Sequence, residues 1–135
     1  MSMNKFKFKY LGDLIVVTAN IYGDKLKTSQ EIVLAIDTGS TKTIIKPESI
    51  GLIGYSEKDK TKTVGVTTGS KTEQAYELKI NKLESLDYTW HKPKIIIKKL
   101  PFALYFIDGL IGLDFFQSIN KKLIIDFQIN ELQII

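Results

Sequence analysis

Along most of the chain, hydrophobic residues recur at every second position. Phe6, Phe8 and Tyr10 alternate with Lys5, Lys7 and Lys9, and Ile15, Val17, Ala19 and Ile21 form a second alternating set. Thr72, Gln74, Tyr76, Leu78 and Ile80 stand opposite Lys71, Glu73, Glu77 and Lys79. A period of two puts each set on one face of a pleated strand, so these segments predict strands with one face toward a core. Ile32 to Ile36 and Ile95 to Ile97 are continuously apolar and rich in β-branched residues, the pattern of strands covered on both faces.

Turn chemistry separates the segments. Gly23-Asp24 lies between the second and third strands, Thr68-Gly69-Ser70 sits at the centre of a long hairpin, and Pro93 and Pro101 bracket the Ile-rich strand. Leu123 to Phe127 and Glu131 to Ile135 predict a second hairpin across Gln128-Ile129-Asn130. Helical periodicity is confined to Glu48 to Gly51 after Pro47 and to Leu113 to Ile119, where Leu113, Phe116 and Ile119 share a face. Short strands at regular spacing imply an all-β barrel or sandwich.

Composition narrows the class. A chain of 135 residues that is 44% hydrophobic has material for one core, so residues 1–135 are expected to form a single domain. Nineteen basic residues against fifteen acidic give a net charge of only +4, with signs interspersed. The lysine-containing stretches lack interleaved stacking aromatics, so no nucleic-acid partner is expected. Cysteine is absent, which excludes disulfides and thiolate metal sites and suits a reducing, cytoplasmic setting. His91 is the one histidine, too few for a metal cluster, and neither metal nor other cofactor is expected. The first ten residues alternate rather than forming the apolar core of an export signal, and no apolar run approaches the ~20 residues that span a bilayer, so no membrane association is expected.

The chemistry-bearing segment is Asp37-Thr38-Gly39-Ser40, directly after the buried strand Ile32 to Ile36. A carboxylate is thereby delivered from a rigid strand end into a turn that Gly39 permits. Alone, these four residues are equally compatible with an Asx-type turn closing a strand. A second feature lies about seventy residues on: Leu110-Ile111-Gly112-Leu113-Asp114-Phe115-Phe116, an apolar pair, a glycine and the start of a short apolar helix.

Together with the Gly-tipped hairpin between them, these motifs resemble the retropepsin-like (retroviral-type) aspartic proteases, over about Glu31 to Phe127 and in the same order. The resemblance implies a closed acid-protease-type barrel, one lobe per chain, with a short helix in the C-terminal half. It implies that Asp37 is the catalytic aspartate, that Thr38 hydrogen-bonds across a two-fold axis, that Gly39 lets the substrate backbone approach, and that Ser40 supports the site. Val66, Thr67, Thr68, Gly69 and Ser70, running on to Lys71, correspond to the flap over bound peptide, and Gly112 to the glycine starting the helix near the dyad. The chain departs from the retroviral pattern at Leu113 and Thr41, where those enzymes commonly carry an arginine and an aspartate that pair.

Peptide hydrolysis by this route needs two carboxyl groups around one water, one accepting its proton and one donating to the carbonyl oxygen. Asp13, Asp24, Asp59, Asp87, Asp108, Asp114 and Asp126 all lack the Asp-Thr-Gly context. A homodimer supplies the second carboxyl by symmetry. Two like charges about 4 Å apart repel by about 4 kcal/mol at an effective dielectric near 20, enough to keep one proton on the pair. The expected activity is therefore a homodimeric aspartic endopeptidase acting on a peptide or protein. A hydrogen bond from Ser40 to the Asp37 carboxylate would favour its ionised form.

Two other readings come from different classes. One is a retropepsin-like fold serving as an inactive binding or assembly module. The other takes Ile36 to Thr41 as the phosphate-contacting turn of sugar kinases and actins, an architecture that needs two α/β lobes and more helix than this chain encodes. Asp114 is expected to cap or orient the helix, His91 to lie in a surface loop, and Trp90 and Tyr76 to pack in the core or at the flap base.

Overall fold

A computed structural model describes residues 4–24, 28–68 and 71–135, with the side chains of 66–73 outside that description. The strands are β1 (Asn4–Lys7), β2 (Lys9–Leu11), β3 (Leu14–Tyr22), β4 (Ser29–Ile36), β5 (Ile44–Ile45), β6 (Lys62–Thr68), β7 (Lys71–Lys79), β8 (Lys82–Ser85), β9 (Tyr88–His91), β10 (Lys94–Ile97), β11 (Gly109–Ile111), β12 (Leu123–Asp126) and β13 (Glu131–Ile134). Two helices, α1 (Pro47–Gly51) and α2 (Leu113–Ile119), stand where the periodicity places them. Single 3₁₀ turns at Glu57–Asp59 and Phe102–Leu104 carry no such signal in the sequence.

The fold is mostly β, as expected, but its main sheet is an open path. The order is β6-β7-β10-β5-β11-β4-β3-β8-β9, with β2 added on β3, so β6 and β9 end the path instead of pairing into a closed barrel. A second sheet, β1-β13-β12, joins the first and last described strands, with Asn4 opposite Ile134. One buried cluster takes residues from both sheets: Val17, Ile21, Leu34, Leu78, Leu83 and Ile95 from the first, Leu132 and Ile134 from the second. Each fully buried side chain of this size contributes about 1.5–3 kcal/mol.

The period-two faces are largely as predicted. Val17, Ala19 and Ile21 are buried in β3, and Ile95, Ile96 and Ile97 are all buried in β10, flanked by β7 and β5. The N-terminal segment differs. Instead of one strand with Phe6, Phe8 and Tyr10 on a common face, the chain breaks at Phe8, sending β1 to the terminal sheet and β2 to the main one. Phe8 is buried at the break, its N–H donating to Asn130 O at 3.0 Å and its ring edge-on to Tyr10 and Phe127. In β7, Ala75 and Glu77 are buried as well as Leu78, and Ile80 just beyond it is buried too, so the strand is covered on both faces at its base. On α2 the inward face centres on Phe115 and Phe116, with Leu113 only half-buried, because Phe115 packs edge-on against Trp90 of β9 at 6.0 Å. His91 ends β9 instead of lying in a loop and is exposed, as a surface residue should be.

Candidate active site

Strand order explains how the site assembles. β11 lies between β4, to which it is parallel, and β5, to which it is antiparallel. Parallel pairing of Ile111 with Ile36 brings the C-terminal ends of β4 and β11 to one edge, so the turn 37–43 and the start of α2 meet there. Asp37 N–H donates to Ile111 O at 3.0 Å, and Leu113 N–H donates to Ser40 O at 2.9 Å. Asp37 and Gly112, seventy-five positions apart in the sequence, are thus held by the same pair of strands.

Gly112 is demanded by this approach. A Cβ there would lie 2.6 Å from the carbonyl carbon and oxygen of Lys42 and 2.8 Å from Ser40 O, closer than any side chain tolerates against backbone. Its N–H donates to Thr43 Oγ1 at 3.1 Å. Thr43 is buried, and its own hydroxyl donates to Asp114 Oδ1 at 2.7 Å while its N–H donates to Oδ2 at 2.9 Å. Asp114 also accepts from Phe115 N at 2.9 Å. This carboxylate therefore orients the helix, as expected, and ties it to the Asp37 turn. The tie joins turn to helix in a chain that lacks the arginine and aspartate at Leu113 and Thr41. Thr43 was not singled out in the sequence; the signal available was a lone threonine between the turn and an apolar pair, with an aspartate in the first turn of the helix.

Asp37 itself is partly buried just beyond β4. Gly39 N–H donates to its Oδ1 at 3.0 Å and Ser40 N–H to its carbonyl oxygen at 3.1 Å, so the turn curls around the carboxylate. No group among the described residues donates to Oδ2. Thr38 and Gly39 are exposed at the tip. Ser40 does not serve Asp37 with its hydroxyl: Oγ donates to Lys42 O at 2.7 Å, which removes the expected bond to the carboxylate. A side chain curled back on its own turn satisfies the carbonyl of Lys42 next to the Gly112 contact, and that local closure wins over reaching the acid.

A pocket of about 400 Å³ adjoins the turn, lined by Ser40, Thr41, Lys42, Ile44 and Ile96 on one side and by Lys62, Val64, Gly65 and Glu77 of the β6–β7 hairpin on the other. The hairpin pairs as far as Thr68 opposite Lys71. Val66, Thr67 and Thr68 of the expected flap lie in β6; Gly69 and Ser70 lie outside the described residues. At the hairpin base, burial raises the Tyr76 phenol above its ordinary value, with the Glu57 and Asp59 carboxylates acting in the same direction.

Comparison with known proteins bears on this geometry. The sequence pattern of the aspartyl protease family matches residues 17–115, which span both Asp37 and the start of α2. The chain belongs to the aspartyl protease family. It is an aspartic endopeptidase by class, a hydrolase of peptide bonds. Among solved structures, this aspartyl protease is similar to a retropepsin-like aspartic protease from Rickettsia conorii, with a TM-score of 0.71 at 13% identity, covering 98% of this chain and 91% of that one. It is also similar to EIAV protease, solved in complex with the inhibitor HBY-793, with a TM-score of 0.59 at 12% identity, covering 86% of this chain and 97% of that one. These likenesses show a retropepsin-like fold. No curated protein matches the chain in sequence. Among the described residues, no helix is long and apolar enough to cross a membrane.

Proposed function

We propose that residues 1–135 act as one protease domain that works as a homodimer, with Asp37 of each copy forming a shared dyad that hydrolyses peptide bonds in a peptide or protein substrate. The observation that carries this reading is the placement of Asp37. Its carboxylate is fixed through Oδ1 by Gly39, and among the described residues neither a donor to Oδ2 nor a second carboxylate bonds to it. Five of the seven other aspartates are engaged elsewhere. Asp24 pairs with Lys92, Asp59 caps a 3₁₀ turn, Asp108 ties Val33 N to Ser49, Asp114 holds Thr43, and Asp126 accepts from Gln128 N. A second chain related by a two-fold axis is the economical source of the partner acid, and the exposure of Thr38 supports the role of a contact across that axis.

In this scheme one Asp37 is ionised and the other protonated. The ionised member takes a proton from water as the oxygen attacks the peptide carbonyl, and the protonated member donates to the carbonyl oxygen. The resulting tetrahedral diol collapses as one hydroxyl returns its proton to the ionised carboxylate, the C–N bond breaks and the leaving nitrogen takes a proton from the protonated carboxyl, giving an acid and an amine with one proton left on the dyad. The β6–β7 hairpin covers the substrate, and the absence of cysteine suits a cytoplasmic setting.

The experiment is a peptide-library digest with wild-type protein and Asp37→Asn. Cleavage should fall by about 10²–10⁴-fold in the variant with its far-UV spectrum unchanged. Specific activity per wild-type chain should also drop on dilution and on adding excess Asp37→Asn protein, which draws active chains into mixed dimers. A monomer whose turnover ignores both treatments contradicts the dyad, and a chain that binds peptides without cutting them is a binding module instead.

A further inference from the structure

The pocket beside the Asp37 turn has an uneven charge. Ile44 and Ile96 contribute apolar lining, while Lys42, Lys62 and Glu77 supply three charged groups. Two of these three answer one another. Glu77 is only 8% exposed, its Oε1 accepts from Thr61 Oγ1 at 2.7 Å, and its Oε2 lies 3.8 Å from Lys62 Nζ. That buried carboxylate is therefore already hydrogen-bonded and neutralised, and a cationic side chain entering the pocket would have to displace Lys62 to reach it. Lys42 is different. It lies on the Asp37 turn, five residues from the carboxylate; its backbone carbonyl is held by Ser40, and the residue is exposed, lines the pocket and has no ion pair with a carboxylate among the described residues. The pocket thus presents one uncompensated positive charge beside a half-apolar lining.

We propose that this pocket is a subsite for an acidic substrate side chain, glutamate or aspartate, with Lys42 as the residue that selects it. The inference rests on reading the space between turn and hairpin as part of the peptide cleft. A glutamate has the reach to lay its methylenes against Ile44 and Ile96 and present its carboxylate to the Lys42 ammonium. Glutamine has the same shape without the charge, so the pair isolates the electrostatic contribution. Because the ammonium is exposed, the discrimination is modest and falls with salt.

The test uses a set of octapeptides in which each position in turn carries Glu or Gln, with two readouts. Cleavage by the wild-type protein is compared as kcat/KM, and binding is measured by fluorescence anisotropy in the Asp37→Asn background, where no turnover is needed. At one position Glu should be favoured over Gln by about two- to fivefold. The preference should vanish in Lys42→Met, reverse in Lys42→Glu, and persist in Lys121→Met, which removes the same charge outside the pocket. No preference at any position, or equal loss in Lys42→Met and Lys121→Met, overturns the proposal, the latter by showing general attraction to a cationic protein. A Lys42-dependent preference in binding without any wild-type cleavage would keep the subsite and remove the protease reading, so the two failures are distinguishable.

Discussion

The turn that carries Asp37 and the β6–β7 hairpin face the same pocket but are held in opposite ways. The turn is gripped from β4, β11 and α2 through Asp37 N to Ile111 O, Leu113 N to Ser40 O, and the Thr43–Asp114 pair. The hairpin is supported along one side only, by β10 against β7, and β6 is the edge of the sheet. On the proposed function, the turn carries chemistry that needs fixed geometry, and the hairpin is a cover that needs room to open for a chain and close over it. The contrast teaches where damage should be felt: small changes at the turn should unsettle the fold, and similar changes on the hairpin should not.

The strongest way to break the turn is Gly112→Ala. The added methyl would collide with the Lys42 backbone, so a loss of about 1–3 kcal/mol is expected in urea denaturation. Thr43→Val keeps the shape but leaves Asp114 without its hydroxyl donor and Gly112 N–H without its acceptor, a loss of about 1–2 kcal/mol. The comparison is sharpened by Thr63→Val, the same replacement at an exposed site on β6, which should shift the midpoint by no more than about 0.5 kcal/mol. If the two threonines prove equivalent, the turn is not held as described.

Ser40→Ala tests a finer point. Losing the bond to Lys42 O should cost about 1 kcal/mol of stability, and the acidic limb of the activity profile should stay in place because the hydroxyl is not bonded to Asp37. A moved limb would restore the bond expected from sequence. The smallest effect is expected far from either region, at Glu84 on β8. Its carboxyl is held below the ordinary 4.5, first by the bond from Lys82 and then by that from Tyr22. The folded value lies below the unfolded one, so the contribution is present above the unfolded value and is lost as pH falls through the folded one. The side chain is about a third exposed, so Glu84→Gln should remove only a few tenths of a kcal/mol at neutral pH and nothing at the acid end of a stability-against-pH series.

Much of this contrast is legible in the sequence. The alternating faces of β3 and the continuous apolar run of β10 follow from local pattern, whereas the association of the Asp-Thr-Gly-Ser strand end with Leu110-Ile111-Gly112 is implied only by the family resemblance. What could not be read depended on partners distant in sequence. The break at Phe8 arises because β13 and β3 compete for neighbouring residues, a choice invisible to a period-two count. Glu77 looks like a solvent-facing residue until Thr61 and Lys62 are brought beside it. The Ser40 hydroxyl had two plausible acceptors, and the nearness of Lys42 O to the turn decided between them. The Thr43–Asp114 tie spans seventy-one positions, and nothing local to either residue announces the other.

The antiparallel ladder between β1 and β13 sets residues 4–7 side by side with residues 131–134. Joining them through a short flexible linker and reopening the backbone at the Leu86-Asp87 bend between β8 and β9 would therefore yield a circular permutant. Every strand neighbour would survive that rearrangement, and only the order in which the ribosome emits the strands would change.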